Sequence, residues 1–501
     1  MAEYKHGTYG NVNATGTKVS GKSKIALVYI GTAPVHTVEN GAKNVNVPML
    51  INDISEAKKY LGYSDDWASY TLCEAIHHHF ETKGVGPLVF INVLDPTAHK
   101  SDESGNISLT PANGRIRIPS AGNIILDSVT VKTKESSATA KVKGKDYAIS
   151  YNAEKETITI AELTSGALGT AELAITYDSV DPSKVTKEDV IGSTDDLGKN
   201  TGIYAVKNVY PLTKYIPAFL LCPGFSSIPE VHTALYQNSQ KINGHWGAFI
   251  RADLPLTDRG TALTFDTVKT FKNANGYDRA NEVVYFPMAQ GTDGRIYHIS
   301  VLAAANFQEL LLEDEAEGIP YRTASNTECA IIERLYLGEN DKDRVFDDDI
   351  INKKLNQYGI ASAAYVGGRW AIWGAHTADY SFPENADSVN VAETNRMMLY
   401  WVCNDYQERR MPLVDKPLTP NDIKNIRSQE RTKLDGLTTS GKLAYGTVSV
   451  KSDAEAKSDI VNGDYCFTFN VTSTPIAKSL AADVNWTEDG FVAYYADITA
   501  D

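Results

Sequence analysis

Apolar positions along this chain follow two alternating rhythms. Residues 25–30 form an unbroken apolar run closed by Gly31, which predicts a strand buried on both faces. Residues 55–61 predict a short helix. Residues 66–82 predict a longer one, with Leu72, Ala75, Ile76, His79 and Phe80 on its apolar face and His77 and His78 toward solvent. Residues 88–93 return to a continuous apolar run. Strand, helix and strand at this spacing make an α/β unit.

From about residue 96 the rhythm changes. Short β runs at 115–118, 124–132, 146–151, 157–160 and 172–177 alternate with turns, and predict an inserted all-β domain of sandwich or barrel type. The α/β alternation then resumes with strands at 216–222, 246–251 and 283–286 and helices at 228–241, 261–272 and 300–317. One sheet interrupted by an insertion is the expected architecture.

The most distinctive stretch runs from Tyr365 to Arg410. A short aromatic strand stops at Gly374, and a helix is expected from Asn390 onward. Met397, Met398, Trp401, Val402 and Tyr406 recur at three- and four-residue spacing, the mark of one buried face. Glu393, Arg396, Asn404, Asp405 and Glu408 make its polar side, and Asn390 with Glu393 is an acceptable start signal. Two further segments bury little in their own right: the glycine-rich residues 1–20, and the strand-like residues 490–498 near the chain end.

Trp373-Gly374-Ala375-His376-Thr377, followed by Asn390-Val391 and an amphipathic helix, resembles the contractile tail sheath proteins of phages and phage-tail-like bacteriocins. The family usually has arginine where this chain has His376, and leucine at Ala378. Pro223-Gly224-Phe225-Ser226 after an apolar strand, Gly318-Ile319-Pro320 before Ser325-Asn326, and the alternating residues 463–471 are similar to the family in the same order. The resemblance implies an α+β multidomain chain. Its α/β core would be built from two sequence-separated halves, residues 21–95 and 183–364, around an inserted β domain at 96–182. A C-terminal α+β domain at 365–489 would follow, with extended arms at 1–20 and 490–501.

The same resemblance implies a structural subunit and no enzyme. Rings of the chain, commonly of six, would stack helically around an inner tail tube and contract when a baseplate triggers them. The expected partners are the chain itself, the tube, baseplate and tail-terminator proteins, with no cofactor, nucleic acid or membrane. The particle would be a virion or a phage-tail-like particle, assembled in the bacterial cytoplasm. Tyr4, Tyr9 and Val12 in one arm, and Phe491, Val492, Tyr494, Tyr495 and Ile498 in the other, are the candidate inter-subunit links by strand addition. Arg409, Arg410, Lys416, Lys424, Arg427 and Arg431 are candidates to face the tube, since they form the clearest basic concentration in the chain.

Composition narrows the alternatives. A net charge of −15 argues against a nucleic-acid partner. The 27 tyrosines outnumber 14 phenylalanines and 6 tryptophans, which suits half-buried strand faces and protein interfaces. Cys73, Cys222, Cys329, Cys403 and Cys466 are odd in number and scattered, as free thiols in a reducing compartment would be. A surface-array β-protein would fit the tyrosines, but it expects a secretion signal that the polar first 24 residues lack. Gly16-x-x-x-x-Gly21-Lys22-Ser23 is a literal phosphate-loop match in reversed context, because a strand follows it where a helix should. His77, His78 and His79 are adjacent on a predicted helix, so they cannot converge on one ion. The acidic triplets 313–315 and 347–349 lack the spacing of a calcium loop.

Overall fold

The computed structural model describes residues 24–134, 138–313, 315–338, 345–385, 389–451 and 459–499. They fall into two compact units that divide after Ile426.

The first unit is organised on one eight-stranded sheet. In chain order its strands are β1 (Ile25–Gly31), β2 (Met49–Ile51), β3 (Leu88–Asn92), β4 (Ile216–Leu221), β5 (Phe249–Asp253), β6 (Glu282–Tyr285), β7 (Ile360–Val366) and β8 (Arg369–Trp373). Across the sheet the order is β2-β3-β1-β4-β5-β6-β7-β8. The six inner strands run parallel, while β2 and β8 are antiparallel edges. Parallel strands covered by helices on both faces need apolar residues at every position, and β3 and β5 are buried throughout. Ile25 lies opposite Ile216, so the chain before the insertion and the chain after it share one sheet.

Helices α1 (Pro229–Ser239), α2 (Ile299–Leu312) and α3 (Glu393–Arg410) belong to this unit. The expected helix over residues 66–82 is shorter and changes character: an α segment, Leu72–Ile76, opens into a π turn, His77–Lys83. The wider turn swings His78 inward, so His78 is buried together with His79, and only His77 stays half-exposed. His79 is a satisfied core residue, 2.7 Å from the Tyr29 hydroxyl and 2.7 Å from the Gln308 amide oxygen. Burial pushes its imidazole down to about 3, against the smaller opposing effect of the Gln308 hydrogen bond.

The region inserted between β3 and β4 forms two antiparallel sheets. One contains Gly105–Leu109, Leu173–Tyr177, Thr130–Thr133 and Ala140–Lys141; the other contains Arg115–Ile118, Thr157–Glu162 and Tyr147–Asn152. Ile116, Ile118, Val131, Ile158, Ile160 and Ile175 form a core separate from that of the main sheet. Polar links join the two regions: His36 Nε2 lies 2.8 Å from the Gly122 carbonyl, and Lys143 pairs with Glu39 at 3.1 Å.

The aromatic strand expected to open a C-terminal domain at residue 365 instead completes the main sheet. It is β8, folded back on β7 by the Gly367-Gly368 turn, with Val366 opposite Arg369. Helix α4 (Pro420–Thr439) runs across the boundary between the units. Within the second unit, Leu443–Val450 pairs antiparallel with Phe467–Ser473. Leu434 packs over Gly446, where a side chain would meet its Cβ at 3.0 Å. The last element is α5 (Asp489–Thr499). No helix among the described residues is long and apolar enough to cross a membrane.

Candidate functional site

The Trp373–Thr377 motif is a folded knot that fixes the start of α3 to the sheet. Gly374 has φ 120°, and a Cβ there would lie 2.9 Å from the Ala361 Cα. Only glycine allows the chain to leave β8 so close to β7. The next residues bind the segment that leads into α3. The Glu393 amide donates to the Ala375 carbonyl at 2.6 Å, and His376 Nδ1 lies 2.5 Å from the Val391 carbonyl. The His376 ring stacks on Tyr380, with centroids 3.8 Å apart and planes at 10°. Thr377 donates to Asp379 at 2.6 Å, Asn390 donates to the same carboxylate at 2.8 Å, and Arg396 reaches Asn390 Oδ1 at 3.1 Å. The Ala378 amide closes the knot on the Glu282 carbonyl at 2.9 Å.

Glu393, Asn404 and Asp405 are buried, so the side of α3 expected to face solvent is largely a second packing face. Asn404 donates to the Gly247 carbonyl at 2.8 Å and accepts from its amide at 3.0 Å, like one more rung on the chain entering β5. Glu393 pairs with Arg251 of β5 at 3.0 Å, with both side chains out of solvent. Arg251 also donates to the Tyr285 hydroxyl and lies 4.8 Å from the centre of the Phe307 ring. Thr323 donates to the other Glu393 oxygen at 2.7 Å. A buried charge whose partner is removed is strongly destabilising, so this pair locks α3 to the middle of the sheet.

A second polar cluster sits where the parallel strands end. His298 Nδ1 lies 2.6 Å from the Glu74 carboxylate, and Asp253 accepts from the Ser300 hydroxyl and amide at 2.5 and 3.1 Å. Both carboxylates are buried. Burial alone would lower the His298 imidazole, but Glu74, through charge and hydrogen bond, outweighs it and holds the group at about 9. A raised histidine contributes stability in full below its unfolded value of about 6.5, and loses it as pH rises through the folded one. Stability is therefore expected to fall between about pH 6.5 and about 9. The test is the melting temperature of wild type minus that of His298→Gln across this range, where the difference should shrink with pH. The comparison must be differential, because Lys272, pushed down to about 8 by burial, titrates in an overlapping window with the opposite sign.

The sequence-predicted assembly residues are dispersed. Tyr4, Tyr9, Val12 and the phosphate-loop match at 16–23 lie outside the described residues. The strand after that match is β1, beginning at Ile25. Phe491, Val492, Tyr494, Tyr495 and Ile498 lie on α5, which is a helix and not the expected strand. Thr487 and Asp489 cap its start, the Asp489 amide donating to the Thr487 hydroxyl at 3.2 Å, and interleaved alanines favour the helical form. All five side chains are exposed, as are Leu480, Val484 and Trp486 before them. Arg409 is held by the buried Asp405 at 2.8 Å, and Arg410 ends α3. Lys416 and Lys424 are exposed in the first unit, and Arg427 and Arg431 in the second, Arg431 pairing with Asp435 at 2.9 Å.

No known protein-family profile matches the chain. The tail sheath protein of Burkholderia phage BcepMu is 30% identical over 267 residues, covering 52% of this chain and 50% of that protein. The match thus spans about half of each. A chain of the cryo-EM baseplate of the anti-feeding prophage superposes on 97% of this chain and 100% of its own, with TM-score 0.52 and 14% identity. A chain of the contracted PVC sheath complex, from an extracellular contractile injection system, superposes on 98% of each chain, with TM-score 0.54 and 11% identity. The fold is that of a contractile sheath protein. In this sheath fold the motif that carried the resemblance is an internal fastening, with His376 held between a carbonyl and a tyrosine ring. The sequence reading missed Arg251. Its signal was a lone charge in the apolar run Phe249-Ile250-Arg251-Ala252, which demands a buried counter-charge elsewhere.

Proposed function

We propose that this chain is the sheath subunit of a contractile tail. The observation that carries the reading is its 30% identity to a phage tail sheath protein over 267 residues, set within a sheath fold. On this reading the chain is structural and catalyses nothing. Copies form stacked rings around an inner tube and are held in a metastable extended lattice. A baseplate signal releases it to a shorter, wider one. The energy is the difference between two packings of the same subunits, summed over many copies.

The chain ends would be the links that persist while subunits move. The hairpin of Leu443–Val450 and Phe467–Ser473 is two-stranded, so each strand offers an edge to an arm from a neighbour. The apolar tail from Leu480 to Ile498 would be covered by that neighbour, since exposed apolar runs of this extent mark interaction sites. The tube contact would be light and salt-sensitive, carried by Lys416, Lys424 and Arg427. Exposed ion pairs are worth about 0–1 kcal/mol each, which suits a sheath that must slide. Electron microscopy of the purified chain tests the proposal. Hollow striated cylinders are expected, and globules that never polymerise at any concentration or salt would reject it.

A further inference from the structure

The loops at the N-terminal ends of the parallel strands carry more lysines than carboxylates, on a chain that is acidic as a whole. Lys24 precedes β1, Lys214 precedes β4, and Lys241 precedes the turn into β5. One backbone and two side-chain hydrogen bonds tie these loops in pairs. The Ile216 amide donates to the Lys24 carbonyl at 2.7 Å, the Asn243 side chain donates to the Lys207 carbonyl at 2.5 Å, and Lys207 Nζ reaches Thr194 at 3.3 Å. Lys199 lies on the same loop as Thr194, closed by the Thr194–Asn200 bridge. Among the described residues, none of Lys24, Lys199, Lys207, Lys214 and Lys241 has a carboxylate within ion-pair distance. The same holds for other exposed lysines such as Lys43, Lys59, Lys132, Lys145 and Lys155, so what sets these five apart is their place on the loops that lead into the parallel strands. The acids nearby are Asp195, Asp196 and Glu408. Asp195 accepts from the Leu197 and Lys199 amides of its own turn, and Glu408 accepts from Tyr210. Two apolar side chains stand out from this face, Leu197 at 95% and Leu212 at 58% exposure.

The opposite end of the strands carries the complement. Strand β7 runs parallel to β4 in the sheet, so its end at Val366 lies on the side away from Lys214. There Phe346, 49% exposed, meets Tyr365 edge-on at 5.5 Å and lies 6.0 Å from Trp370. Asp347, Asp348 and Asp349 follow it, all exposed; among the described residues Asp349 pairs with Lys353 at 2.5 Å, and the Asp347 side chain accepts from the Asp349 amide at 2.9 Å. Ile350 is exposed beside them. One face is apolar and basic, the other aromatic and acidic.

We propose that the basic N-terminal end docks on the Phe346–Ile350 corner of a second copy of this chain. The two patches lie at opposite ends of the parallel strands, so they cannot meet within a single subunit. A two-fold contact of the basic face with itself would set lysine against lysine. The contact is therefore head-to-tail, and a repeated head-to-tail contact builds rings or helices and not closed dimers. Apolar side chains on both sides supply area, and the charges fix register and direction. The assignment rests on the sheath reading for its setting, but its chemistry can be tested apart from it.

The test is sedimentation velocity and microscopy of the full chain at low and high salt, with two sets of reversals. Lys207→Glu, Lys214→Glu and Lys241→Glu together should raise the concentration for half-assembly about a hundredfold, with the melting temperature unchanged. Asp347→Lys with Asp348→Lys should raise it likewise, with a lower melting temperature because the Asp347 cap on the Asp349 amide is lost, and should restore assembly when combined with the first set in one chain. High salt should weaken assembly of wild type and of the combined chain, and should lessen the loss in each singly reversed chain, whose like charges it screens. Wild-type assembly in either reversed chain overturns the inference, as does failure of the combined chain to recover. Loss of tube binding with self-assembly intact also overturns it, since the face would then belong to another partner. Charge-dependent association without cylinders would support this contact while contradicting the sheath reading; cylinders indifferent to reversal would do the opposite.

Discussion

Arg251→Met is expected to destabilise the first unit by ~3–5 kcal/mol, the range for breaking a buried ion pair by removing one partner. The charge left behind is Glu393, buried at the first turn of α3, with the Thr323 hydroxyl as its remaining close side-chain donor among the described residues. Glu393→Gln should cost a similar amount by stranding the guanidinium, although Tyr285 and the Phe307 ring remain to it. The double variant Arg251→Met, Glu393→Gln should recover most of the loss, because no uncompensated charge remains. Urea unfolding followed by tryptophan fluorescence measures all three. Single variants within 1 kcal/mol of wild type would mean that the pair does not hold the helix.

Removing residues 489–501 is expected to abolish cylinders while changing monomer stability by no more than about 0.5 kcal/mol, as for surface changes generally. The asymmetry follows from exposure: Phe491, Val492, Tyr494, Tyr495 and Ile498 are each more than half exposed, so little apolar area is lost to the monomer. In an assembly the same side chains would be the ones that bury it. Thermal unfolding and microscopy of the truncated chain check the two halves separately. A truncated chain that forms normal cylinders removes the tail from the lattice, and one that melts far below wild type assigns the tail to its own fold.

Most of the main sheet was legible because its strands are continuous apolar runs. The run at 25–30 became β1, and that at 88–93 became β3, within a residue of the expected bounds. Strand β7 was missed because its sequence, Ile-Ala-Ser-Ala-Ala-Tyr-Val, is rich in small residues of low strand preference. Its position comes from the tertiary contacts of β6 and β8 on either side of it. Helix α4 was passed over because its charges drew attention away from Ile426, Leu434 and Leu437, which are buried. Thr419 with Asp422, bonded at 2.7 Å, was a readable start signal for it. The tail at 490–498 misled for the opposite reason. Its aromatic residues favour a strand, its alanines and cap favour a helix, and local pattern alone does not arbitrate.

The site was legible as a motif but not as a mechanism. Trp373–Thr377 pointed to the family, yet its contacts are inward, and the partner of Glu393 lies in a strand more than a hundred residues earlier. Charge counting picked Arg409 as a tube contact, whereas the structure gives it to Asp405. It overlooked lysines that are distant in sequence and brought close only by the fold, as Lys24 and Lys214 are, where the Ile216 amide meets the Lys24 carbonyl.

The central claim is that one chain supports two lattices of the same subunit. Helical reconstruction by cryo-EM of sheaths assembled on their tubes, before and after triggering, measures it directly. The account predicts one subunit fold in both states, with β5 and α3 still joined through Arg251 and Glu393, and a triggered lattice that is shorter and wider. A single lattice unchanged by the trigger, or a subunit whose sheet and α3 come apart between states, would contradict it.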